Sequence, residues 1–192
     1  MSDRIFQHLL LKQLKPTIAH VVNPNCFHIH GPNGVKLAIQ RIRQVLQEKK
    51  SNYIIRADIK SFYKLIPHHK LLQGIRKMYD DPKVLKMLEQ IITNPIETPR
   101  GYKNARSGIA LRGPLSQFFS AISLKPLDDA FNAMDLTYIR YQDDLIILCK
   151  TQRQLNRCRR RLMEVLQERQ LKLSKKKSRI GCISKGFHFF RY

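Results

Sequence analysis

Residues able to do chemistry gather first in positions 137–149, which read Thr-Tyr-Ile-Arg-Tyr-Gln-Asp-Asp-Leu-Ile-Ile-Leu-Cys. Two runs rich in Tyr, Ile and Leu flank the adjacent aspartates Asp143 and Asp144. Such runs favour strands, so the stretch predicts a hairpin with two carboxylates at its tip. Adjacent like charges repel there unless cations neutralise them. Taken alone, the pair reads equally well as a polar turn, because Asp is a common turn residue. A third carboxylate, Asp58, lies at the C-terminal end of the nearly continuous apolar run 53–59. That pattern predicts a central strand covered on both faces.

The elements that must position these carboxylates follow from periodicity. Ile5, Leu9, Leu10 and Leu14 predict a helix over 5–18 that ends before Pro16 or just past it. Residues 20–34 carry turn signals. A helix over 35–49 buries Ala38, Ile39, Ile42, Val45 and Leu46. Pro67, His68 and His69 open a helix through Met78, and a further helix covers 84–92. We read the two histidines as structural or surface residues, not metal ligands. Residues 93–113 read as irregular, and 115–123 as a buried helix kinked or ended by Pro126. An amphipathic helix over 152–169 carries Arg153, Arg157, Arg160 and Arg161 away from its apolar face. Residues 186–192 read as a terminal strand.

From residue 53 onward the order is strand, helices, two hairpinned strands, helix, strand. This predicts an α+β fold, a ferredoxin-like β-α-β-β-α-β antiparallel sheet with helices on one face, preceded by N-terminal helices. In such a sheet the first strand lies beside the hairpin, so Asp58 can meet Asp143 and Asp144. Three carboxylates from separate segments suit Mg²⁺, whose hard-oxygen preference differs from that of zinc. Two such ions roughly 3.5–4 Å apart can activate a 3′-hydroxyl and stabilise leaving pyrophosphate.

Charge supports a polyanionic partner. Lys and Arg total 36 against 14 Asp and Glu, a formal net charge of +22, and a domain this basic repels itself without one. Nucleic acid is favoured over an anionic membrane, because no basic amphipathic helix carries exposed aromatics. No apolar run approaches the roughly 18 residues of a membrane span, and the mixed N-terminus is not a signal peptide. Cys26, Cys149, Cys158 and Cys182 form no C-x-x-C pair and read as free thiols in a reducing cytoplasm.

Several motifs in order resemble prokaryotic reverse transcriptases of the group II intron, retron, diversity-generating and phage-defence kinds. Ala57-Asp58-Ile59-Lys60-Ser61-Phe62-Tyr63 resembles the first palm motif. Residues 108–119, Gly-Ile-Ala-Leu-Arg-Gly-Pro-Leu-Ser-Gln-Phe-Phe, resemble the template- and nucleotide-contacting motif. Tyr141-Gln142-Asp143-Asp144 is the Y-x-D-D box. Leu171-Lys172-Leu173-Ser174 with Lys177-Ser178 resembles the next motif, and Phe189-Phe190-Arg191-Tyr192 the primer grip. Leu111-Arg112, Ser116-Gln117 and Arg191 depart from one or another branch, so the subfamily stays open.

The resemblance implies an RNA-directed DNA polymerase using dNTPs, an RNA template, a DNA or RNA primer and two Mg²⁺ ions, with Mn²⁺ as a substitute. Asp58 and Asp143 would hold the metals with Asp144 in support, and the Ile59 carbonyl would add a ligand. Tyr63 would stack under the incoming sugar and exclude a 2′-hydroxyl. Gln117 would lie near nucleotide or template, and Lys177 near the leaving pyrophosphate. Arg112, Arg157, Arg160, Arg161 and Tyr192 would contact nucleic acid.

The resemblance also implies one reverse transcriptase domain over 1–192. Partial fingers occupy 1–50, palm 51–185 and the start of a primer grip 186–192. The earlier fingers strands and the helical thumb are expected to be absent, as in a truncated gene of a mobile element, a fragment, or a chain completed by another polypeptide; a cognate structured RNA is a further expected partner. The rival expectations are a non-catalytic basic RNA-binding remnant, and a palm that makes RNA or adds nucleotides without a template.

Overall fold

The apolar run around residue 55 forms β1, Tyr53–Asp58, in this computed structural model, which describes residues 2–29, 31–48, 50–111 and 113–186. Its Ile54, Ile55 and Ala57 are all buried, although successive strand residues point to opposite faces. Both faces are therefore covered, which is why the run reads as continuously apolar. β1 pairs antiparallel with β5 (Asp144–Cys149) on one side and with β6 (Arg179–Cys182) on the other. β4 (Thr137–Tyr141) pairs with β5, giving the order β4-β5-β1-β6. This is the antiparallel sheet expected of a β-α-β-β-α-β chain.

One face packs Ile54, Ile139, Ile146 and Leu148 against Ala38, Ile42 and Val45 of α2 (Gly34–Gln47). The other face receives α7 (Gln152–Glu168), which buries Leu155, Cys158, Leu162, Val165 and Leu166 and lies along β1 and β5. There the Cys158 thiol meets that of Cys149. The C-terminal half of α6 (Ser116–Asn132) shares this face, with Phe131 stacked on Tyr138 at 5.3 Å. The two helices of the β-α-β-β-α-β unit thus lie together, and α2 covers part of the opposite face.

The chain forms two compact units that interleave in sequence. The sheet, α2 and α7 belong to the unit made of Asn23–Lys60 and the residues from Leu124 onward. The other unit comprises the residues up to Val22 and Ser61–Ser123. It contains α1 (Ser2–Val21), α3 (Phe62–Leu65), α4 (His68–Arg76), α5 (Pro82–Thr93) and the N-terminal half of α6.

Local expectations change at α1, at α6 and within residues 93–113. α1 runs through Pro16 to Val21, because Leu10, Leu14 and Ile18 bury one continuous stripe across the proline. Ile5 and Leu9, expected on that stripe, are exposed. α6 likewise continues through Pro126, held by buried Phe118 and Ile122 before it and Leu127 and Phe131 after it. In each helix the packing outweighs a proline penalty of about 3 kcal/mol. Residues expected to be irregular include a short antiparallel ribbon, β2 (Ile96–Thr98) with β3 (Gly101–Lys103). The fourth sheet strand is β6, upstream of the expected 186–192, of which only Gly186 lies among the described residues.

Candidate active site

Asp58 ends β1, and strand pairing sets it directly opposite Asp144, the first residue of β5. Both side chains share the face of Ile54 and Ile146, because each lies an even number of residues away along its strand. Like charges directly opposite in a sheet are destabilising. Burial, followed by the neighbouring carboxylates of Asp143 and Asp58, pushes the Asp144 carboxyl up to about 6. Burial likewise raises Asp143, with Asp58 adding to the effect.

Asp58 is held by the segment after α7. Its amide donates to Ser178 Oγ at 3.2 Å, and its carbonyl accepts from Ser174 N at 2.8 Å. The same turn presents Lys177, whose Nζ lies 3.2 Å from Asp58 Oδ2. Lys60 N donates to Lys172 O at 2.8 Å, so two motifs about 115 residues apart in sequence form one local structure. The Ile59 amide donates to Asp143 O at 3.2 Å, tying the strand end to the hairpin tip.

The tip is a two-residue turn, Gln142-Asp143, closed by the Tyr141–Asp144 pair. Gln142 takes a φ of +55°, a left-handed conformation that costs about 1 kcal/mol for a residue with a Cβ. It is clamped on both polar groups: its amide donates to His28 Nδ1 at 3.1 Å, and Arg140 Nη1 donates to its carbonyl at 3.0 Å. Arg140 is fully buried and grips Asp128 of α6, with Nε at 2.7 Å from Oδ1 and Nη2 at 2.5 Å from Oδ2. Tyr138 also donates to Asp128 Oδ1, at 2.7 Å. On the other flank, burial pushes the Cys26 thiol up to about 12, so it stays protonated, with Sγ 3.3 Å from His28 Nδ1.

This support went unread in the sequence. Its signal was Arg140 itself, which alternates with Ile139 and Tyr141 in a strand whose neighbours are core residues, and a buried charge demands a partner. Arg56 was also missed. It shares the carboxylate face, and its charge acts to lower the Asp144 pKa against the dominant upward effects.

Asp58, Asp143, Asp144, Ile59 and Lys177 thus meet in one unit. Tyr63 and Gln117 belong to the other. Tyr63 packs edge-on against Phe62 at 5.4 Å, and its carbonyl accepts from Ile109 N at 2.8 Å. That bond needs Gly108, whose φ is +98° and where a Cβ would lie 3.1 Å from the Lys64 carbonyl oxygen. His68 is buried and its Nε2 lies 2.6 Å from Gly108 O, a structural role. Gln117 is exposed in the first turn of α6. Arg157 and Arg160 are exposed on α7, and Arg161, beside them, pairs with Glu164 at 3.3 Å. Arg112 and Tyr192 lie outside the described residues.

Among the described residues, no three His, Cys, Asp or Glu side chains are gathered into a ready-made metal cluster. The donor chemistry nevertheless fits a hard cation. Burial, with Asp58 acting on Asp143 and both Asp143 and Asp58 acting on Asp144, raises the pKa of these two half-buried carboxyls, and a divalent ion would oppose that rise.

A model of the family described as reverse transcriptase (RNA-dependent DNA polymerase) matches residues 1–191. The chain is 21% identical over 227 residues to Protein YkfC of Escherichia coli strain K12, covering 98% of this chain and 60% of that protein. Its fold is similar to telomerase from Candida albicans solved with a TWJ fragment of telomeric RNA, with a TM-score of 0.66 and 16% identity. That match covers 91% of this chain and 33% of the telomerase chain. Apo telomerase from Candida tropicalis is similar too, with a TM-score of 0.64 and 16% identity over 95% of this chain and 37% of that one. No helix among the described residues is long and apolar enough to cross a membrane.

Proposed function

Because the chain belongs to the reverse transcriptase (RNA-dependent DNA polymerase) family, we propose that it extends a primer 3′-hydroxyl with dNTPs on an RNA template. The observation that carries this reading is the register pair Asp58–Asp144, with Asp143 at the adjoining tip and Lys177 on Asp58. Asp58, Asp143 and the Ile59 carbonyl, with Asp144 in support, would hold Mg²⁺, for which Mn²⁺ would substitute. Bound there, the ions supply activation of the hydroxyl and neutralisation of the triphosphate.

The other roles belong to the chain's own groups. The Lys177 ammonium, already drawn to the carboxylates, neutralises or protonates the leaving pyrophosphate. Tyr63 packs beneath the incoming sugar and rejects a 2′-hydroxyl. Gln117 touches nucleotide or template. Arg112 and Tyr192 contact the nucleic acid, as do Arg157, Arg160 and Arg161 through phosphates. The telomerase solved with telomeric RNA supports RNA as the partner.

The test is incorporation of labelled dNTP on a primed RNA with Mg²⁺. Asp143→Asn is expected to abolish it, and incorporation equal to wild type would overturn the site. A second reading is favoured by the net charge of +22 and by the lysine seated on Asp58. It makes the chain a basic RNA-binding protein without catalysis. Salt-dependent RNA binding with no incorporation under any divalent ion would establish it.

A further inference from the structure

The carboxylates and the arginine-rich helix look out from opposite faces of one sheet. Asp58 and Asp144 share the face of Ile54 and Ile146, the face packed by α2. α7 lies on the other face and turns Leu155, Cys158, Leu162 and Val165 toward it. Its exposed side carries Arg153, Arg157 and Arg160, spaced four and three residues apart, so they form one stripe about 10 Å long. Together with Lys150 and Asn156 they line a shallow cleft of about 840 Å³.

Helix energetics alone would not put these residues here. The N-terminal end of a helix is its positive pole and favours acids, yet the first turn of α7 has none and carries Arg153. Arg153–Arg157, Arg157–Arg160 and Arg157–Arg161 are like-charge neighbours at helical spacing, an arrangement that destabilises a helix. Lys150 pairs with Asp135 at 3.0 Å and Arg161 with Glu164 at 3.3 Å. Arg153, Arg157 and Arg160 have no carboxylate at ion-pair distance among the described residues. A bound polyanion removes this repulsion.

The chemistry of the stripe also says which polyanion. α7 contains no aromatic residue, so it offers no aromatic platform on which unstacked bases could stack. Arginine forks on a regular helical spacing suit phosphate oxygens, and a partner read through its phosphates and shape is a duplex. We propose that the 150–160 face of α7 is a second RNA-binding surface, which grips a double-helical RNA segment while the opposite face of the sheet works on another segment. The inference rests on the chain being a nucleic-acid-binding protein and does not require it to be a polymerase.

The test measures binding of a blunt, fully paired RNA duplex as a function of salt, without Mg²⁺ or dNTP. The variant combines Arg153→Gln, Arg157→Gln and Arg160→Gln, all exposed. A control combines Lys36→Gln, Arg41→Gln and Arg43→Gln on α2, which removes the same charge from the other face. The α7 variant is expected to weaken binding and to reduce the slope of log K against log salt by about 2–3, one phosphate contact per arginine. The α2 control is expected to keep the wild-type slope, and lysine at the three α7 positions to restore most of it. An unchanged slope in the α7 variant overturns the proposal, as does an equal loss in both variants. Loss of binding to phosphatidylserine vesicles with duplex binding intact also overturns it and assigns the face to a membrane. Because no catalysis is read, absent polymerase activity leaves these outcomes unaffected.

Discussion

Asp144 is the residue on which the electrostatics of the site turn. Its ordinary pKa of 3.8 rises to about 6, chiefly through burial and then through Asp143 and Asp58. Between those two values the folded chain keeps a proton that the unfolded chain has released. The free energy of unfolding therefore falls as pH climbs through this window and stays at its lower level above it. A divalent cation opposes the loss only once the carboxylates are ionised. The metal-free thermal midpoint is thus expected to decline between pH 3.8 and about 6, and Asp144→Asn to flatten that decline. Added Mg²⁺ should raise the midpoint above about pH 6 and do little near 3.8. A Mg²⁺ effect equally large at both ends, read by differential scanning fluorimetry, would refute a cation site at these carboxylates.

At the scale of elements, the hairpin tip is only as well placed as the strand and helix behind it. Arg140 joins Asp128 on α6 to the carbonyl of Gln142 on the turn. Removing one partner of a buried pair leaves a bare charge, so Asp128→Leu is expected to lower stability by about 3–5 kcal/mol in urea unfolding. Adding Arg140→Met to Asp128→Leu should recover part of that loss, because an apolar pair can replace a buried ion pair while the Tyr138 hydroxyl is left without its acceptor. The double variant still lacks the donor to Gln142, a charge-assisted bond worth about 1.5–3 kcal/mol, so incorporation should fall about tenfold or more. Recovery of both stability and incorporation would mean the turn does not need its clamp. The hairpin and β1 were legible in the sequence because strand periodicity and the paired aspartates are local signals. The clamp was not, because Arg140, Asp128 and His28 meet only through tertiary packing. Pro16 and Pro126 misled for the same reason, since buried residues on both sides of each proline decide the helix. β6 was hidden by its composition: Arg179 and Ile180 are exposed, as befits an edge strand shielded by charge.

The whole molecule is built from two units whose segments alternate along the chain, with passages at 22–23, 60–61 and 123–124. Within the unit that holds the sheet the pairing is non-local, because both neighbours of β1 come from far downstream. Non-local pairing of this kind slows folding, since loop closure must precede any reward from contact. In pulse-labelled refolding, the β1 amides are expected to gain exchange protection together with those of β5 and not before them. Early protection of β1 alone would contradict that order. During synthesis the same arrangement acts on the nascent chain. The 85 residues between Asp58 and Asp144 take about 4–17 s to translate, and throughout that time β1 leaves the ribosome as an apolar strand with two open edges. Neighbouring nascent chains on one polysome would present the same strand in the same state. Yield in a cell should therefore fall when chaperones that hold exposed apolar strands are depleted.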